Sequence, residues 1–135
     1  MGARSKARKR AVDILFESDL RGLDPIALLT ERLGAPELPP INEYTVLLVH
    51  GVVEHGADID RLLTEQAHGW ALTRMPAVDR AVLRLGVFEL LFSDEVDDAV
   101  AIDEAIELAK LLSTDDSPRF VNGVLGALAA LPRGS

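Results

Sequence analysis

The start of the chain carries the densest group of side chains that could do chemistry. The first ten residues hold five cations and no carboxylate: Arg4, Lys6, Arg8, Lys9 and Arg10. Lysine and arginine side chains neutralise phosphates, so this group predicts contacts to a nucleic-acid backbone. A solvated basic segment that aids solubility is about equally compatible with the pattern alone.

A second candidate site lies near the other end of the chain, in residues 113–131. Ser117 is a natural N-cap and Pro118 suits the first position of a helix, so we expect a helix to begin there. The first amides of a helix are unpaired and attract anions. Arg119 adds a cation beside them, and Phe120 offers a ring on which an unstacked base could lie.

Several residues of this second site also have a purely structural interpretation. Phe120 is in helical register with Val124 and Leu128, which favours a core position by roughly two to one. Asp115 and Asp116 complement the positive end of the helix dipole. They would also repel a phosphate at the same place, so we expect them to limit the affinity for RNA.

Two glycines lie inside this last predicted helix. Gly123 and Gly126 lower its helix propensity, so we expect a neighbouring backbone to pack closely against them. The apolar residues of the helix recur at helical spacing and predict one buried stripe, formed by Phe120, Val124, Ala127, Leu128 and Leu131.

Helical periodicity is the pattern that must position both sites. Apolar residues recur at helical spacing in six segments, residues 4–20, 25–33, 43–63, 78–92, 100–112 and 118–131. No stretch alternates with a period of two for long enough to predict a strand. We therefore predict an all-α fold of six or seven helices, in one domain spanning residues 1–135, with a bundle around the apolar helix 78–92.

Local signals set the expected ends of these helices. Asp24 and Asn42 are predicted N-caps. The third helix is expected to bend near Gly56 and to end at residues 69–70. Residues 34–40 contain three prolines and one glycine, which predicts a connecting loop, and nothing in the loop indicates a function.

Residue types and spacings argue against several kinds of chemistry. The chain has no cysteine, which excludes disulfides, thiolate catalysis and cysteine-bound zinc. His50 and His55 are five residues apart, a spacing that points them to different sides of a helix, and His68 is expected in a turn. No phosphate-binding glycine loop or calcium loop is found. We expect no metal, no cofactor and no enzymatic activity.

Charge is distributed very unevenly along the chain. The net charge is −8, and beyond the first ten residues 9 basic residues face 22 acidic ones. An acidic surface argues against nonspecific nucleic-acid binding by the whole molecule. No apolar run approaches the ~20 residues needed to cross a bilayer, and no signal-peptide pattern is found. A soluble cytoplasmic protein is the expectation.

Three blocks of sequence resemble the NusB transcription antitermination family. They are ARKRAVDILFESD near the start, VDRAVLRLGVFEL in the middle and AIDEAIELAKLLSTDDSPRFVNGVLG near the end. The resemblance covers nearly the whole chain and implies an all-α fold of two small helical subdomains. It also implies binding to single-stranded boxA RNA in ribosomal RNA leaders together with NusE, a small-subunit ribosomal protein. Other Nus factors and RNA polymerase would be engaged indirectly.

The resemblance also assigns roles to particular residues. The five cations at the start become phosphate contacts, and the SxxFVNG element places Ser117, Phe120 and Asn122 at the RNA edge, with Asp116 beside it. Pro118 stands where relatives often have a polar residue, which removes an amide that could have met the RNA.

The middle block is implied to face NusE, through Asp79, Arg80 and Arg84. We expect folding to bring the basic first turns alongside the opening turn of the last helix, so that one RNA lies across both. Whether the protein also forms a homodimer stays open.

Two other classes of function compete with this hypothesis. Similar helical domains precede the catalytic domain of rRNA cytosine methyltransferases, but the chain ends at residue 135 with no room for a cofactor-binding sheet. A helix-turn-helix DNA regulator needs a basic recognition helix after a tight turn, and the basic helix here is the first one.

Overall fold

Seven α-helices follow one another in the computed structural model, which describes residues 1–67 and 71–132. They are α1 (Ala3–Arg21), α2 (Pro25–Leu33), α3 (Glu43–Glu54), α4 (Gly56–Gln66), α5 (Ala77–Val87), α6 (Asp98–Leu112) and α7 (Ser117–Ala129). A short 3-10 turn, Leu72–Arg74, precedes α5, and a π-helical turn, Phe88–Phe92, extends it. Strands are absent from the described ranges, and the prediction of an all-α fold is confirmed.

The predicted capping residues act as expected at the starts of α2 and α3. The Asp24 carboxylate accepts a hydrogen bond from the Ile26 amide at 3.2 Å. The Asn42 side chain accepts one from the Tyr44 amide at 2.8 Å. Both bonds satisfy an amide that has no partner within the helix, which is why these local signals predict helix starts reliably.

The third predicted helix differs from the one observed. The single long helix predicted over residues 43–63 is two helices, α3 and α4, which break at His55 (φ −100°, ψ 14°), next to the predicted bend at Gly56. The predicted helix end at residues 69–70 and the predicted turn at His68 lie outside the described residues.

At the start of α7, the residue in the N-cap position is Asp116 rather than Ser117, and its side chain makes no capping hydrogen bond. The Ser117 hydroxyl is instead bonded to the side chains of α5 and of the preceding turn, as the next section describes. The predicted cap is therefore displaced by one residue.

Helix α5 is the central element of the bundle, as its apolar sequence predicts. It packs against α1, α4, α6 and α7. At two places around α5, a neighbouring side chain packs so closely against the backbone that only glycine fits. A Cβ atom on Gly51 of α3 would lie 2.2 Å from the Phe88 ring, and one on Gly86 would lie 2.8 Å from Leu125. These glycines let the ring and the leucine fill space that any larger residue would occupy.

The prediction that Gly123 and Gly126 are closely packed is wrong. A Cβ atom on either residue would meet nothing within 4 Å. The reason is the orientation of α7, which turns a different face to the core than the predicted stripe. Its buried residues are Ser117, Val121, Val124, Leu125 and Leu128, whereas Phe120 is half-buried and Leu131 is exposed.

Within residues 1–67 and 71–132, no helix combines the length and the apolar character that a bilayer crossing requires.

Candidate nucleic-acid interface

Three of the five cations at the start of α1 line one groove on the surface. Lys6 is exposed, Lys9 and Arg10 are half-buried, and all three face a groove whose opposite wall is residues 39–41. Asp13 also lines this groove and pairs with Lys9 at 3.4 Å. Because an exposed pair of this kind contributes little energy, Lys9 can exchange Asp13 for a phosphate.

Arg8 points the other way, into the core. Its Nε and Nη2 atoms donate to the two carboxylate oxygens of Glu89 at 2.8 and 3.0 Å, and its Nη1 lies 3.2 Å from Glu104. Burial by itself lowers the pKa of Arg8, but the hydrogen bonds and the charge of Glu89 raise it above its usual value. The side chain is 3% exposed. The prediction of Arg8 as a phosphate contact is therefore corrected, because its guanidinium is enclosed by protein carboxylates.

Tyr44 of α3 completes this buried group. Its hydroxyl donates to the Glu89 carboxylate, and burial together with Glu89 raises the pKa of Tyr44. The Arg4 guanidinium lies 4.4 Å from the centre of the Tyr44 ring and pairs with Glu95 at 2.9 Å. The buried pair of Arg8 thus fixes α1 to the rest of the bundle, and Lys6, Lys9 and Arg10 lie toward solvent. The Arg4–Glu95 pair is half exposed and contributes little energy, so the role of Arg4 as a phosphate contact stays a prediction.

The opening turn of α7 contains a cluster of hydroxyl groups bound to one carboxylate. Ser113 and Ser117 donate to the two oxygens of Asp79 at 2.5 and 3.0 Å, and the Thr114 hydroxyl lies 2.9 Å from that of Ser117. Asp79 and Ser117 are both buried. The predictions of Ser117 as an RNA contact and of Asp79 as a partner contact are therefore corrected: together they attach the α6–α7 turn to the start of α5.

The same turn offers an anion fewer amides than expected. The Ser117 amide donates to the Thr114 carbonyl, Pro118 has no amide hydrogen, and the Phe120 amide donates to the Asp116 carbonyl. Of the first four positions, only the Arg119 amide is left for an anion, so an amide-based phosphate site is much reduced.

The remaining predicted site residues in α7 and in the turn before it differ in their exposure to solvent. Arg119, Asn122, Asp115 and Asp116 are exposed. Phe120 is half-buried and packs against the hydrophobic core. Its position is compatible with both interpretations of the ring, and its role as a base platform stays a prediction.

The two candidate regions are attached at different points along α5 and its π-helical extension. The basic turns of α1 are attached at Glu89, and the start of α7 is attached at Asp79. Ten residues separate these attachment points, which corresponds to about 15 Å along a helix axis. The expectation that the two regions lie alongside each other stays a prediction, in which one RNA would contact side chains held at both attachment points.

Arg80 and Arg84, which the resemblance implied as partner contacts, are occupied within the chain. Arg80 pairs with Asp19 at 2.9 Å and donates to the carbonyls of residues 72 and 75. Arg84 pairs with Asp60 at 2.9 Å. Their side chains are 16% and 23% exposed, so little of either is left to meet a partner, and their role there stays a prediction.

Within residues 1–67 and 71–132, histidines and acidic residues form no group that could hold a metal ion. His50 is exposed, and the His55 ring stacks on Phe92 with a centroid distance of 4.5 Å.

Sequence reasoning missed Glu89, Tyr44 and the wall of residues 39–41. A signal for Glu89 was present, since one acid within the apolar run FELLF must find a partner if that helix is central. Neither Tyr44 nor the proline wall carried such a signal, because both depend on which helices become neighbours.

Comparison with known proteins decides the family. A family model described as the NusB family matches residues 5–130. The chain belongs to the NusB family. A relative from Saccharopolyspora erythraea, named transcription antitermination protein NusB, is 68% identical over 132 residues, which cover 97% of this chain and 89% of the relative.

Solved NusB structures share the fold. NusB of T. maritima matches with a TM-score of 0.82 and 34% identity, covering 95% of this chain and 91% of that one. The NusB-like chain in a crystal structure of antitermination factors NusB and NusE in complex with dsRNA matches with a TM-score of 0.81 and 31% identity, covering 93% and 95%.

Proposed function

We propose that the protein is a transcription antitermination factor that binds boxA RNA of ribosomal RNA leaders together with the ribosomal protein NusE. The observation that carries this proposal is the groove beside α1, where Lys6, Lys9 and Arg10 converge on an otherwise acidic molecule. Relatives named as antitermination proteins support the antitermination role, and a solved complex of NusB and NusE with dsRNA supports binding to RNA and NusE. The choice of single-stranded boxA RNA rests on the family resemblance.

In the proposed mode of binding, the RNA backbone crosses the groove of α1. Lys6, Lys9 and Arg10 neutralise successive phosphates, and the release of counterions supplies much of the affinity. Arg8 does not take part directly, since its guanidinium is enclosed by Glu89 and Glu104. Arg4 is exposed, and it can exchange its exposed pair with Glu95 for a phosphate as Lys9 can exchange Asp13.

The start of α7 provides the second region of contact in this proposal. Arg119 and Asn122 are exposed there, and Phe120 is half-buried beside them. Asp115 and Asp116 repel phosphate and keep the affinity moderate. A single strand of RNA is flexible, so one strand can adapt to contact both regions.

NusE binds a neighbouring face in this proposal, and the two proteins share one RNA in the cytoplasm. Residues 1–135 act as one RNA-binding domain. RNA polymerase and other Nus factors are reached through this complex and not by direct contact with the groove.

Fluorescence anisotropy with labelled RNA tests the proposal. Single-stranded boxA RNA, a scrambled strand of the same length, duplex RNA and duplex DNA are compared at one salt concentration, with and without NusE. We expect single-stranded boxA RNA to bind most tightly and NusE to tighten it further. Equal affinity for boxA and scrambled RNA in the presence of NusE would overturn the proposal.

A further inference from the structure

The groove beside α1 has an apolar wall that phosphate contacts do not use. Its lining includes Lys6, Lys9 and Arg10 from α1 and Pro39, Pro40 and Ile41 from the segment before α3. The groove encloses about 480 Å³, which lies within the range of about 300–1,000 Å³ typical of small-ligand pockets. A site for phosphate alone has no need of such a wall.

The uncharged polar side chains that line the groove are those of Thr45 and Asn42, and they offer few free hydrogen-bonding groups. The Thr45 hydroxyl is buried and donates to the Ala7 carbonyl at 2.9 Å, so it is already satisfied. At one end of the groove, the Asn42 oxygen accepts from the Tyr44 amide, which fixes the orientation of the side-chain amide. The two N–H donors of Asn42 are then left to meet an acceptor.

A nucleotide is the ligand whose two parts match these two walls. Its phosphate is anionic and suits the three cations, and its base is a flat ring with apolar faces and carbonyl or ring-nitrogen acceptors at the edge. Unstacked bases are commonly held between apolar side chains and read by hydrogen bonds at their edges.

We propose that this groove holds one unstacked base of the bound single-stranded RNA, in contact with Pro39, Pro40 and Ile41. The phosphates on either side of that base lie on Lys6, Lys9 and Arg10, and Asn42 donates to the edge of the base. This inference rests on the proposed function and deepens it, because it adds base recognition to a surface so far treated as a phosphate site.

The test is an abasic scan of the boxA strand, in which each base is removed in turn and binding is measured by anisotropy. We expect one abasic position to weaken binding to the wild type by roughly fivefold or more.

The scan is repeated on the double variant Pro39→Ser/Pro40→Ser, with Pro36→Ser as a matched control. All three prolines are exposed, and Pro36 does not line the groove. In the double variant we expect the sensitive abasic position to lose its effect, so that it costs less than about twofold, while other positions keep theirs. The Pro36→Ser variant should retain the wild-type profile.

The outcomes distinguish this inference from the function on which it rests. If the double variant binds boxA RNA with the wild-type abasic profile, the groove holds no base and the inference is overturned, while RNA binding stands. If the wild type shows no binding to boxA RNA, both are overturned. Circular dichroism melting of each variant establishes that the folded protein is being compared.

Discussion

Arg8 and Lys9 are neighbours in sequence, yet the structure gives them opposite roles. Arg8 is enclosed and makes a two-pronged pair with Glu89, whereas Lys9 is near the surface and reaches Asp13 at 3.4 Å. Removal of one partner from a buried ion pair leaves an uncompensated charge in the core, but removal of one from an exposed pair leaves a hydrated charge. The same basic cluster therefore contains both structural and binding residues.

This difference predicts unequal effects on stability. Arg8→Ala should lower the free energy of unfolding by about 3–5 kcal/mol, because Glu89 would be buried without its partner. Lys9→Ala should lower it by less than about 1 kcal/mol. Urea denaturation followed by circular dichroism measures both, and similar midpoints for the two variants would contradict the assignment.

Tyr44 supplies a prediction for alkaline pH. The pKa of Tyr44 is raised in the folded protein, so the protonated phenol stabilises the fold. That contribution is complete below the pKa of an unfolded tyrosine, about 10, and is lost as the pH rises above it. Unfolding free energy should thus decline above about pH 10 more steeply than in a Tyr44→Phe variant.

The titration can be followed directly because Tyr44 is the one tyrosine in the chain. Phenolate absorbance should develop together with the loss of the helical circular dichroism signal. A phenol that ionises near pH 10 while the helical signal is still native would contradict the buried Tyr44–Glu89 bond.

At the scale of the helices, glycine positions show which surfaces meet closely. Gly51 faces the Phe88 ring, and Gly86 faces Leu125, whereas Gly123 on α7 faces open space. The sequence indicates that glycines inside helices need a reason, but it does not say which of them has one. The answer depends on how each helix is rotated about its axis.

Alanine substitution makes this distinction measurable. Gly51→Ala should destabilise the protein by about 1–3 kcal/mol, since the new methyl group overlaps the Phe88 ring. Gly123→Ala should be neutral or stabilise it by up to about 1 kcal/mol, because alanine favours the helix and meets no neighbour. Thermal melts of the two variants decide the matter, and a destabilised Gly123→Ala would contradict the orientation of α7.

For the whole molecule, the predictable features were those encoded locally. The caps at Asp24 and Asn42 each depend on a residue two positions away, and the central position of α5 follows from its own apolar composition. The buried pair of Arg8 depends on Glu89, which lies 81 residues further along the chain. A contact between residues so far apart in the sequence can be predicted only when it is known which helices pack against each other.

The resulting picture is an acidic bundle with a small cationic groove held rigidly on its surface. In the proposed function, Lys6, Lys9 and Arg10 make the phosphate contacts to RNA in this groove. Arg21, Arg61 and Arg74 are exposed and lie outside the groove, so their removal changes the net charge equally without changing the groove.

The most direct measurement is the salt dependence of boxA RNA affinity for the wild type and two triple alanine variants. Loss of Lys6, Lys9 and Arg10 should weaken binding and reduce the slope of log affinity against log salt by about 2, since each phosphate contact on a single strand contributes about 0.7. Loss of Arg21, Arg61 and Arg74 should leave the slope near the wild-type value. Equal slopes for the two triple variants would contradict the account.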